Sequence, residues 1–297
     1  MRFSFAIFLV LTAAVLRHPL PAAAQPLDVQ ARGADGKPHI LAFLPGTQNT
    51  GELVLFDETG HRQLSRTIPL ALRAVCIAPD AGFVAAPTAG GLLYLDRRMR
   101  VKIHIPGYAY ETLACYPNAV YAAGRTTRIH RFDFPSLLHR QVVAEVDSFV
   151  PRLLASEEGI AAVSWDGSAV IIRPNALPLR LHVSSRSLVG LAPGPQNSWI
   201  TLAENHRITV IDSNGAKTGL FQVEDARMLA ASPQGTLAVL DSDNEVVFYR
   251  RVKPYWVIVR RRIKLPDSLK PTAMAHLSGQ RWVVLASAGI AFFEEPH

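Results

Sequence analysis

Apolar residues along this chain gather in short runs, without the three-to-four-residue spacing of amphipathic helices. The clearest run is 207–212, Arg-Ile-Thr-Val-Ile-Asp, in which four β-branched residues are closed by an aspartate. Runs of the same kind stand at 52–57, 91–96, 128–133, 169–174, 245–250 and 289–294, so their last residues recur every ~40 positions. Two further apolar runs joined by a tight turn precede each of them. In the sixth copy these are 228–231 and 236–240, around Ser232-Pro233-Gln234-Gly235; in the second they are 74–78 and 83–86, around Pro79-Asp80-Ala81-Gly82. Proline presets the backbone of such a turn and glycine supplies the conformation other residues resist. A more polar run follows, at 101–105, 140–146, 179–183, 219–223 and 255–263. Rich in β-branched and aromatic residues and bounded by turn formers, these runs predict strands, four to a repeat.

Repeats of ~40 residues, with small apolar strands first and a polar strand last, predict an all-β fold: a single β-propeller of seven four-stranded blades. The crowded first strands belong at the axis and the polar last strands at the rim. The order of apolar strand, Ser-Pro-x-Gly turn, apolar strand, Asp-containing turn and a strand ending in Asp or an aromatic residue resembles WD-repeat and YVTN-type propellers. The best copy is 153–174, with Ser164-Trp165-Asp166-Gly167-Ser168 as its loop. This is a likeness of pattern across 27–293, and it implies a fold, not a particular activity. At the start of the repeats, Leu27, Val29 and Ala31 alternate with Asp28, Gln30 and Arg32. That strand can be the inner strand of the first blade or the outer strand of the last, and the first is the expectation.

The N-terminus changes the picture of where the propeller works. Arg2 precedes an apolar run over 3–16, residues 17–21 break it, and Ala22-Ala23-Ala24 forms a small-residue cleavage site. This reads as a secretory signal peptide over 1–24, leaving a propeller domain over 25–297. The apolar run falls short of the ~20 residues a membrane-spanning helix needs, and no other segment could cross. The expected product is therefore a soluble periplasmic or secreted protein, monomeric and without a transmembrane segment after cleavage. The two cysteines, Cys76 and Cys115, stand one repeat apart in first strands. Two buried thiols are expected there, with a bridge between neighbouring inner strands as the alternative.

The formal net charge is +7, and Arg2 and Arg17 leave with the leader. Much of the remainder is concentrated at 250–264, where Arg250, Arg251, Lys253, Arg260, Arg261, Arg262 and Lys264 stand without an acid and with Tyr255 and Trp256 among them. Charged outer strands discourage edge-to-edge pairing; the same run also offers a contact for an acidic protein or an anionic envelope component through Trp256, Arg260, Arg261, Arg262 and Lys264. Trp165 is a second candidate contact residue, since a loop tryptophan combines a large apolar face with a polar handle. Export argues against nucleic acid as a partner.

In a propeller, the loops between second and third strands and those between blades converge on one face. Asp166, Glu204, His206 and Asp241 fall in such loops, where carboxylates beside a histidine can hold a cation or transfer protons. Asp, Asn and Gly are also what turns are made of. The chain has no Cys-x-x-Cys-His, His-Glu-x-x-His or Gly-x-Ser-x-Gly motif, and Gly215-Ala216-Lys217-Thr218 is no phosphate loop. No cofactor is expected. The reading is an exported propeller acting as a protein-binding or scaffold module of the cell envelope, with a small-molecule hydrolase, lactonase or lyase at the axial face as the alternative.

Overall fold

The computed structural model describes residues 27–30, 39–46, 50–157, 159–252, 255–286 and 289–295, without the side chains of 27–30, 45, 251–252, 255–261 and 289. The signal peptide expected over 1–24 lies outside these residues. Among the described residues, twenty-seven strands form seven antiparallel sheets of sequential strands, and the one helical element is a turn of 3-10 helix at Pro195–Asn197. Six sheets hold four strands each; the seventh, Pro271–Ser278, Arg281–Ala286 and Gly289–Glu294, holds three among the described residues. All seven predicted anchor runs are third strands, among them Gly51–Asp57, Arg128–Asp133 and Arg207–Ile211.

The first strands of neighbouring sheets lie beside one another all the way round. Leu27–Gln30 pairs with His39–Pro45 and adjoins both Leu72–Ile77 and Pro271–Ser278. It is the inner strand of the first blade, as expected, and it completes a seven-bladed ring.

The core lies between blades rather than within them. Seven apolar clusters are present, and each joins one adjacent pair of blades. Alternate residues of one strand serve different clusters. In Leu72–Ile77, Val75 and Ile77 pack against the first blade, while Ala74 and Cys76 pack against the third. Both faces of each sheet are thus buried, which is why Phe83–Pro87, Gly159–Val163 and Thr236–Leu240 are buried at every position and read as unbroken apolar runs. The fourth strands, such as Arg62–Ile68 and Lys217–Gln222, are largely exposed.

The aspartate that closes several anchor runs has a physical role. Asp57 Oδ1 accepts hydrogen bonds from the amides of Thr59 and His61 at 2.9 and 3.0 Å. Asp96 does the same for Arg98 and Arg100, and Asp212 for Asn214 and Ala216. One carboxylate oxygen therefore satisfies the two inward amides of the turn that sends the chain into its fourth strand.

The cysteines correct the expectation of two thiols: Cys76 and Cys115 form a disulfide, with their Cα atoms 5.8 Å apart. The inner strands Leu72–Ile77 and Tyr110–Tyr116 of adjacent blades lie side by side, and Ala74 and Ala78, small residues on the blade-two face that meets blade three, allow the close approach. The bridge ties blade two to blade three across a sequence separation of 39 residues.

Two predictions follow from these tethers. Replacing both cysteines by alanine should lower unfolding stability by about 4 kcal/mol in urea titrations, the loop-closure entropy of a bridge of this length; free thiols titrating in the native chain would contradict the bridge. Burial works against ionisation of Asp57, yet hydrogen bonds from Thr59, His61 and Gln63 outweigh it and bring its pKa down to about 2. A depressed carboxylate stabilises the fold above its unfolded pKa, and that contribution disappears as pH falls toward 2. Asp57→Asn should therefore cost about 1 kcal/mol at pH 7, after allowance for solvent screening, and close to nothing at pH 2, as read from thermal unfolding at the two values.

Candidate functional site

Antiparallel order places the loops between second and third strands on one face, together with the connections from blade to blade. The most prominent side chain on this face is Trp165, 52% exposed, in the blade-four loop. Its ring meets Phe149 edge-on with centroids 4.6 Å apart. The backbone beneath is fixed: Trp165 N and Ser164 Oγ both donate to Phe149 O, at 3.0 and 3.2 Å, and Leu188 N donates to Ser164 O. This tryptophan is a rigid projection from a braced turn.

An ion cluster borders it. Arg180, on the outer strand Leu179–His182, reaches Asp147 Oδ2 at 2.5 Å and Asp166 Oδ2 at 3.0 Å. Asp166 also accepts from the amides of Ser168 and Asp147, at 2.8 and 3.1 Å. Burial opposes its ionisation, but these amides and the hydroxyls of Ser168 and Ser164 hold its carboxyl below the usual range. Asp166 is thus an ionised structural anchor whose oxygens are already engaged.

The other three axial candidates are likewise part of the backbone scaffold. Asp241 Oδ1 accepts from the amides of Asp243 and Glu245, at 2.9 and 2.8 Å. His206, in the left-handed region at φ 64°, places Nδ1 3.1 Å from Ala226 O and ties its loop to the next connection. Glu204 is exposed, and its amide donates to Ser187 O. Asp166 lies on blade four, Glu204 and His206 on blade five and Asp241 on blade six. Among the described residues no group of three or more His, Cys, Asp or Glu gathers as metal ligands would.

The basic outer strand finds its acids on neighbouring segments. Within Tyr255–Lys264, Arg262 Nη1 lies 3.1 Å from Glu245 Oε2, and Lys264 Nζ lies 3.3 Å from Asp267 Oδ1. Glu245 pairs with Lys264 and Val247 with Arg262, but Phe248 pairs with Val259, so Arg260 and Arg261 fall in a bulge. The side chains of Trp256, Arg260 and Arg261 lie outside the described residues.

Two arrangements join residues through pairings that the sequence does not specify. Glu111 is clamped by Arg73, whose Nη1 donates to both carboxylate oxygens at 2.7 Å, and by Arg125 at 3.1 Å. The clamp joins the inner strands that also carry the disulfide. The second is an aromatic group between blades two and three. Tyr108 stacks on His130 with centroids 5.2 Å apart, the Tyr110 hydroxyl lies 3.1 Å from His130 Nδ1, and Arg140 sits 4.9 Å above the Tyr108 ring. Burial, reinforced by Arg140 and Arg128, holds the His130 pKa below its ordinary value. Burial also raises Tyr110 to about 12, against the pull of Arg140. The only signal in the sequence was the Tyr-Ala-Tyr of 108–110.

No family model matches the chain, and no curated protein matches it. Among solved structures it is similar to a chain from the crystal structure of a mitotic checkpoint complex, at 13% identity with a TM-score of 0.74, covering 99% of this chain and 97% of that one. At this identity the likeness shows the fold alone, a β-propeller. No helix among the described residues is long and apolar enough to cross a membrane.

Among the described residues Arg73 Nε is buried without a partner, so the Glu111 carboxylate carries most of what satisfies this guanidinium. Glu111→Ala should cost about 2 kcal/mol in chemical unfolding, with Glu111→Gln recovering part of it; equal stability of Glu111→Ala and wild type would remove the clamp from the account.

Proposed function

We propose that this protein is an exported β-propeller serving as a protein-binding or scaffold module in the cell envelope, and that its loop face around Trp165 makes the principal contact. The observation that carries this reading is the half-exposed Trp165 braced on Phe149. Binding energy concentrates on such anchors because a pre-fixed tryptophan buries a large area at little entropic cost, and surrounding polar groups complete the contact. The ion cluster of Asp147, Asp166 and Arg180 supplies that polar border.

Export is supported by two independent features. The leader over 1–24 has the charged, apolar and small-residue order of a signal peptide. The Cys76–Cys115 bridge belongs to the class of bond that persists in oxidising compartments. The structural neighbour comes from the structure of a complex, which accords with a role in assembly. Arg262 and Lys264 are paired with acids of their own chain, so the basic strand, with Trp256, Arg260 and Arg261, is assigned a secondary part toward anionic envelope components.

Cross-linking of a tagged chain in cells, followed by identification of captured proteins, tests the proposal. A discrete partner should be captured by wild type and by the variant with Arg260, Arg261 and Arg262 changed to Glu. Trp165→Ala should lose it by about 30-fold, the effect of removing a hot-spot anchor. Capture unchanged by Trp165→Ala would contradict the assignment, and loss in the triple variant alone would move the contact to the basic strand.

A further inference from the structure

Between blades two and three lies a cavity of about 440 Å³, within the range of sites that hold ligands. Its lining is mixed: Leu92 and Ile105 on one blade and Phe132 and Leu137 on the next give apolar surface, while His139, Arg140 and the backbone of Gly107 give polar surface. These elements come from four separate stretches of chain, brought together by the connection 106–109 as it crosses from the rim of blade two to the axis of blade three.

Arg140 is held over the Tyr108 ring and, among the described residues, forms no ion pair with a carboxylate. The neighbouring cations Arg128 and Arg131, by contrast, pair with Glu145 and Asp133. The Arg140 guanidinium also hydrogen-bonds the Tyr110 hydroxyl, and the remaining donors of the fork stay available for a carboxylate from elsewhere. The apolar surface also extends past the cavity, since Leu138 and Val142 are 78% and 42% exposed beside it. A small molecule seated in the cavity would leave those side chains uncovered, whereas an extended chain running along the cleft would cover them.

We propose that the cleft between blades two and three docks an extended segment of a protein partner, one that inserts a bulky apolar side chain between Ile105 and Phe132 and presents an Asp or Glu to Arg140. The proposal rests on the reading of this protein as a binding module and assigns it a second contact, distinct from Trp165. The insertion supplies affinity by removing apolar area from water, and the carboxylate sets the register of the segment.

Gly107 provides a discriminating variant. A Cβ built there would meet nothing nearer than Gly91 Cα at 4.0 Å, so Gly107→Leu adds a side chain at the cavity wall without backbone collision. The experiment selects phage-displayed random dodecapeptides on the full chain, then measures binding of the enriched peptides to Arg140→Glu, Arg140→Gln, Gly107→Leu and Trp165→Ala. Enriched peptides should carry Phe, Leu or Ile within three residues of Asp or Glu. They should bind Arg140→Glu and Gly107→Leu about tenfold or more weakly at unchanged melting temperature, and Trp165→Ala as wild type. Should Gly107→Leu fail to fold, Arg140→Gln, which removes only the charge and part of the donor fork, carries the same prediction.

Selection of apolar peptides indifferent to both Arg140 variants would overturn the proposal, and so would failure to enrich any peptide. Binding of free phenylacetate alone would overturn it too, by making the cleft a small-molecule pocket. A partner captured in cells that is lost with Trp165→Ala but untouched by Arg140→Glu and Gly107→Leu would reject this cleft while leaving the binding-module reading intact. Absence of any captured partner would reject that reading itself.

Discussion

Each blade of this protein has two apolar faces, and a sheet with two apolar faces needs a neighbour on both sides. That requirement is met only when the seventh blade reaches the first. The closing seam packs Ile40, Val54 and Phe56 against Leu277, Val283 and Leu285, with no strand exchanged between the terminal blades among the described residues. Contact here is close enough to dictate a residue type. Gly60 sits in the left-handed region at φ 86°, and a Cβ there would fall 2.5 Å from the Phe292 ring. Ring closure is thus a property of side-chain packing, and stability at any one interface is coupled to the six others through the shared blades.

A frame locked in this way leaves the loops free to differ. Their polar residues divide into those that build the turn and those that face outward. Asp57, Asp96, Asp212 and Asp241 belong to the first class, each accepting two amides of its own turn. Trp165 belongs to the second, yet depends on the first, since Asp166 beside it anchors the loop to Asp147 and Arg180. The side chains placed for contact are held by neighbours whose chemistry is structural.

The fold was legible because burial on both faces writes the same strand pattern seven times, and the period alone counts the blades. Even the role of 27–30 could be read, since the first blade would otherwise lack its inner strand. The disulfide was not legible to the same degree. Whether Cys76 and Cys115 meet depends on how closely two inner strands approach at the axis, a distance of 5.8 Å between Cα atoms that no periodicity specifies. The setting of the basic run was hidden in a similar way: 250–264 contains no acid, but strand pairing sets Glu245 opposite Lys264, and two residues, Arg260 and Arg261, bulge out of the register. The group around Arg140 was invisible for the same physical reason. Its members come from a connection, a first strand, a third strand and a fourth strand, and only the packing of adjacent blades assembles them.

The central claim is that this propeller meets proteins through a particular part of its surface, and site-specific photo-cross-linking in cells tests it most directly. A photoreactive residue would replace, one at a time, Trp165 on the loop face, Leu177 on the opposite face and Leu220 on an outer strand, the last two being 91% and 64% exposed. The account predicts a discrete protein adduct at Trp165 and none at Leu177 or Leu220. Adducts confined to Leu177 or Leu220, or equal at all three positions, would contradict it.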